Sequence, residues 1–166
     1  MKLFTLTLAF LWLGIFLAGS DAVGEQKTLK DQMVGTWILD SEYDQAENGR
    51  KNQPWGPHVE GTVMFDGNGR FSFQIISGDC SKFASNNPRL PVGQALAYFG
   101  TYTVDEAAKT VTYHIERATF PQWDGTDRTD NIAILTESEL NITGRTPIQD
   151  PSFGPHIPHL KFKRCN

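Results

Sequence analysis

The sequence predicts an all-β domain, an eight-stranded antiparallel up-and-down β-barrel. Three observations carry that expectation. About eight strand-like runs follow one another, most of them joined by short polar turns. Val111, Tyr113 and Ile115 alternate with Thr112, His114 and Glu116, which gives one run two different faces. Between two other runs, Asp66-Gly67-Asn68-Gly69 is a strong hairpin signal, because its glycines accept positive φ. Sequential antiparallel strands that close on themselves leave no exposed edge. A sandwich is the alternative, and the short connections favour the meander. No repeat of fixed period appears.

Met1 to Ala22 stands apart from the domain. Lys2 supplies one positive charge, Leu3 to Ala18 is apolar apart from Thr5 and Thr7, and Ser20-Asp21-Ala22 offers small residues to a signal peptidase. This is the pattern of a secretory signal peptide cleaved after Ala22. A membrane anchor is the alternative, but the run is short of the roughly 20 residues a span needs. No basic stop-transfer cluster follows it, and no cysteine for a bacterial lipid anchor. The expectation is a secreted or periplasmic protein with no stable membrane anchor after cleavage. Residues 23–166 remain as one domain, long enough to bury most of its apolar surface.

Val23 to Lys30 is a polar lead. Met33 to Tyr43 reads as the first strand, and Asp44 to His58, rich in Asn, Gln, Gly and Pro, as a loop. Thr62 to Phe65 and Arg70 to Ile76 flank the hairpin turn. That turn lacks the spaced ligands and distal Glu of a calcium loop. Ser77 to Gly93 is a longer polar connection. Ala95 to Val104 and Thr110 to Arg117 are strands joined by a turn at Asp105 to Lys109. Phe120 to Thr126 forms an aromatic corner. Arg128 to Leu135 and Leu140 to Thr143 make another hairpin, Thr146 to Pro158 a proline-rich excursion, and His159 to Arg164 the last strand.

The net charge is −4, and the basic residues are scattered apart from Lys161, Lys163 and Arg164. That argues against nucleic acid as a partner. The two cysteines, Cys80 and Cys165, would meet an oxidising compartment in an exported chain, where paired thiols usually close. Two separate free thiols are the alternative. There is no Cys-x-x-Cys redox spacing. Asn141-Ile142-Thr143 is a glycosylation sequon within a strand, relevant only in a eukaryotic host.

Several motifs, in order, resemble the bacterial and fungal lipocalin-like domain family. They are Gly35-Thr36-Trp37, Gly56-Pro57 with Gly61, Asp66 to Arg70, Tyr98 with Gly100 and Tyr102, His114, and Pro121, Trp123 and Gly125 with Arg128. The resemblance covers nearly all of Gln32 to Arg164. The proline-rich insert from Pro147 to Pro158 departs from it. The signal peptide and the cysteine pair look like additions to the common domain. The resemblance implies a small barrel that binds a small, mostly apolar molecule. It also implies that Trp37 plugs one end of the barrel and that Arg164 packs over it as a cation–π contact.

Tyr98, Tyr102, His114, Trp123 and Arg128 are the candidate ligand-binding residues. The two tyrosines share one strand face and offer an apolar body with a polar tip. His114 would bind a ligand or move a proton if its face lines the cavity; otherwise it is a histidine in a half-polar lining or on the outside. Arg128 suits a ligand carboxylate, or a solvated strand end. Trp123 reads equally as a wall of the mouth and as a packed corner. Phe71 and Phe73 share a core or cavity face, and Trp55 and His58 sit in a loop at the mouth. His156 and His159 form His-x-x-His, but Pro155 and Pro158 argue against a helix, so no metal is expected. No nucleophile-elbow pattern and no cofactor motif appears. The leading expectation is therefore a carrier rather than an enzyme. An isomerase or cyclase using His114 and a partner-binding protein are the alternatives.

Overall fold

The computed structural model describes residues 27–78, 87 and 93–165. The expected signal segment and Cys80 lie outside the described residues. A short helix α1 (Leu29–Met33) leads into β1 (Gly35–Ala46), with a two-residue β2 (Lys51–Asn52) paired to its end. There follow β3 (Glu60–Phe65), β4 (Arg70–Ile76), β5 (Ala95–Asp105), β6 (Thr110–Ala118), β7 (Thr126–Leu135), β8 (Glu139–Gly144) and β9 (His156–Arg164). A single 3-10 turn, Pro121–Trp123, lies between β6 and β7.

From β3 to β9 each strand pairs antiparallel with the next. β1 pairs with both β3 and β9, which closes the sheet. Strands β1 and β3 to β9 are thus the eight-stranded antiparallel barrel that the sequence predicts.

Boundaries differ most at three places. Met33 ends α1 rather than starting a strand, and Thr28 caps that helix by accepting from the Asp31 N–H. β1 continues to Ala46 inside the expected loop, because β9 and β2 cover its end. β9 begins at His156, upstream of Pro158. Pro158 is tolerated because it pairs with Asp44 beyond the last β8–β9 partner, Thr143 with His159. Gly144 makes room for the Pro158 ring, since a Cβ there would lie 2.7 Å from Pro158 Cδ.

One end of the barrel is plugged. Trp37 is fully buried and its indole N–H donates to the Met33 carbonyl at 2.7 Å. The Arg164 guanidinium lies 4.0 Å from the Trp37 ring centre. It also donates to the carbonyls of Gln32, Val34 and Glu137. One side chain thereby ties α1, the start of β1 and the β7–β8 turn together. Gly35 (φ +136°) is needed here, because a Cβ would meet the Arg164 guanidinium at 2.5 Å.

Bulges change which residues face inward. In β1 the register shifts between Leu39 and Ser41. Trp37 and Leu39 are buried before the shift, Glu42 and Asp44 after it. The extra residue moves the inward face from odd to even positions. A second shift, between Phe99 and Gly100 of β5, leaves Glu116 of β6 unpaired with β5. Cys165 is exposed, and among the described residues it forms no disulfide.

Candidate ligand site

At the end away from α1 the barrel opens into a cavity of about 230 Å³. A much smaller space, about 20 Å³, lies deeper and shares Phe73, Tyr98, Asp130 and Leu160 with it. The walls are largely apolar, with Phe73, Ile75, Leu96 and Tyr98 from β4 and β5, Leu160 from β9, and Trp55 and Trp123 at the mouth.

The aromatic corner is held firmly. Asp124 accepts from the Ala118 N–H at 2.8 Å and from Arg117 at 2.7 Å. The Gly125 N–H donates to the Ile115 carbonyl at 2.7 Å, and the Thr126 hydroxyl donates to the Trp123 carbonyl. Trp123 is therefore fixed over the opening. It meets Tyr98 edge to face at 5.5 Å, and the Arg128 guanidinium lies 4.1 Å from its ring. Phe73 continues the stack, 4.7 Å from Tyr98. Such aromatic pairs add about 0.5–1.5 kcal/mol each beyond their area.

Among these apolar walls stand several ionisable groups. Glu42 and Asp44 come from β1, Arg128 and Asp130 from β7, Asp150 from the β8–β9 connection, and His156 from β9. Burial, helped by Asp44, pushes the Glu42 carboxyl up to about 8. Burial also raises Asp44, against the pull of His156. Asp130 is raised by burial, which Arg128 offsets in part. The Tyr98 phenol is raised by burial and by Asp130, so it stays neutral. His156 Nδ1 lies 2.8 Å from the Gly154 carbonyl, which can only accept, so Nδ1 carries a proton. Its Nε2 faces Asp44 Oδ2 at 3.2 Å.

Of the residues proposed from sequence, Tyr98, Trp123 and Arg128 come together here, with Trp55 and Phe73 beside them. Tyr102 does not. It is buried towards the plugged end, where its hydroxyl donates to the Asp66 carbonyl at 2.9 Å and Lys30 lies over its ring. His114 does not reach the cavity either. Its face is the outer one, because Val111, Tyr113 and Ile115 fill the interior. The imidazole pairs with Asp127 at 2.7 Å, with about half its side chain exposed. His58 is exposed outside the cavity. His156 and His159 point to opposite faces of β9, as residues three apart in a strand must. His159 stacks on Tyr43 at 4.7 Å.

Sequence reasoning missed Glu42, Asp44, Asp130 and the inward role of His156. Asp130 was within reach of it, two residues after Arg128 on the same strand face. Glu42 and Asp44 were not, because alternation counted from Trp37 puts them outside unless the bulge is known.

A closed antiparallel meander with one plugged end and one open, cavity-bearing end defines an up-and-down barrel of the calycin type. The chain belongs to the lipocalin-like domain family, whose match spans residues 34–152 and stops short of β9. No curated protein matches the chain. Among solved structures it is similar to a redesigned β-barrel, with 12% identity and a TM-score of 0.43 over 82% of this chain and 95% of that one. It is also similar to bovine odorant binding protein in complex with a selenium-containing odorant. There the identity is 16% and the TM-score 0.44, over 86% of this chain and 76% of that one.

Proposed function

We propose that this chain is an exported lipocalin-like protein that binds a small, mostly apolar molecule in the cavity between Trp123 and Leu160. The observation that carries the reading is the cavity itself, about 230 Å³ with an aromatic wall fixed by hydrogen bonds at its mouth. It is smaller than the roughly 300–1,000 Å³ of pockets that take drug-sized ligands, which points to a compact ligand. Export rests on the Met1 to Ala22 pattern, and a Cys80–Cys165 bridge is proposed with it. An enzymatic role through His114 has no support, since that ring stands outside the cavity.

The test is native mass spectrometry of the mature protein purified from its own host, followed by organic extraction. One bound small molecule per chain, lost on extraction and depleted in a cavity-filling Leu96→Trp variant, is the expected result. A folded protein that carries nothing and takes up no apolar probe would overturn the reading. The same spectra give the mature N-terminus and, from the mass gained on reduction, the state of the two thiols.

A further inference from the structure

We infer that the ligand carries a protonated nitrogen, and that Glu42 receives it inside the cavity, so the site takes a small arylalkylamine-like cation. This deepens the carrier reading and rests on it.

Glu42 is 3% exposed, projects from the inward face of β1 and lines the cavity. Its Oε2 is buried and has no hydrogen-bond partner. Buried polar atoms are nearly always paired, so an orphaned carboxyl oxygen beside an apolar cavity marks a place where a ligand donor is missing. The surrounding groups do not supply one. Asp44 on β1 and His156 on β9 satisfy each other. Arg128 and Asp130 share the inward face of β7 and offset one another, and the guanidinium is stacked on Trp123. Asp150 accepts from the N–H groups of Ser152 and Phe153. Tyr98 of β5 is neutral, and Lys51 of β2 lies over the ring of Tyr43. The nearby inward residues of β3 and β4, Gly61, Val63, Phe73 and Ile75, carry no charge. Glu42 is thus the cavity acid with no counter-charge.

The chemistry of the walls selects among cations. Among the described residues no three His, Cys, Asp or Glu side chains are arranged to hold a metal ion. Trp123, Tyr98 and Phe73 present aromatic surface, which suits an ammonium attached to an aromatic or aliphatic body. An anionic ligand would find only Arg128, which is already stacked on Trp123 and set against Asp130.

The protonation state gives the binding a signature. Burial and Asp44 keep a proton on Glu42 up to about pH 8 in the empty site. An ammonium displaces that proton, so below that pH binding releases it and affinity rises with pH. Above it the affinity levels off until the amine itself loses its charge. A neutral ligand that accepts a hydrogen bond from protonated Glu42 would show the opposite slope.

The experiment is calorimetric titration of the mature protein between pH 6 and pH 9 with 1-naphthylmethylamine and its neutral match 1-naphthalenemethanol, in buffers of differing ionisation enthalpy. We expect the amine to bind about tenfold tighter at pH 8, as a charge-assisted contact should, with proton release at pH 6. Glu42→Gln should abolish the preference while the alcohol still binds, and Glu42→Asp should keep part of it. Alcohol binding serves as the folding control for both variants. Equal affinity for both probes, or affinity that falls as pH rises, overturns the inference and leaves the carrier reading standing. Failure of both probes to bind the wild-type protein removes the carrier reading, and the inference with it.

Discussion

A carboxyl group held inside a barrel changes how folding responds to pH. Glu42 keeps its proton in the folded chain to about 8, against 4.5 when unfolded. Between those values the folded state binds more protons, so stability falls as pH rises and levels off above about 8. Asp44 and Asp130 act in the same direction. We expect Glu42→Gln to flatten that decline and to raise stability above pH 8, where the wild-type chain must bury a charged carboxylate. Urea unfolding at pH 5 and pH 9 checks it; equal change at both pH values would contradict it. Trp37 is a separate case at this scale. Its ring is fully buried under Arg164, so Trp37→Ala should cost about 3–5 kcal/mol in the same assay. Individual residues were unevenly legible in the sequence. Trp37, Tyr98, Trp123 and Arg128 stand in distinctive local patterns. His114 and Tyr102 stand in equally distinctive ones, yet one faces solvent and the other lies below the cavity. Alternation separates two faces but does not say which is inside.

At the scale of elements, turns and bulges decide which side chains meet. The hairpin at Asp66 to Gly69 was readable, because its glycines, with Asp66 and Asn68, are the chemistry that such a turn needs. The bulge between Leu39 and Ser41 was not. It depends on how β1 is shared between β3 and β9, a tertiary fact. That single extra residue carries Glu42 and Asp44 into the barrel. The bulge between β5 and β6 imposes a different demand. Gly100 lies against the backbone of β6, and a Cβ there would run into the His114 carbonyl oxygen. Backbone cannot yield as a flexible side chain can. Gly100→Ala should therefore cost at least the roughly 1–3 kcal/mol typical of overpacking. A clear drop in the thermal midpoint checks this, and an unchanged midpoint would contradict it. The aromatic corner makes a further prediction. Trp123→Ala should leave the fold intact, because the Asp124 and Gly125 bonds hold the turn without the indole. It should weaken ligand binding several-fold, as the loss of one stacking wall would. Titration with 1-naphthalenemethanol reads that change.

For the whole molecule, closure is what the strands achieve together. The meander itself was legible from eight runs joined by short turns. Closure between the first and last strands was expected too, but the register of that seam was not legible, since β1 and β9 are far apart in sequence and meet along the full length of β9. The family match ends at residue 152, so the β9 side of the seam lies beyond it. Removing residues 156–166 would expose the edges of β1 and β8 and strip Arg164 from the plug. Such a chain should fail to fold and should aggregate; a soluble truncated protein with the near-ultraviolet circular dichroism of the intact one would contradict the role given to the seam. The barrel's two ends also divide the labour, one fixed by Trp37 and Arg164 and the other open to a ligand. The most direct test of that division is a two-dimensional amide NMR titration of the mature protein with 1-naphthalenemethanol. Shifts should gather at Leu96, Tyr98, Trp123 and Leu160, with Trp37, Tyr102 and His114 unmoved. No shift up to saturation, or shifts confined to the plugged end or the outer face, would contradict the account.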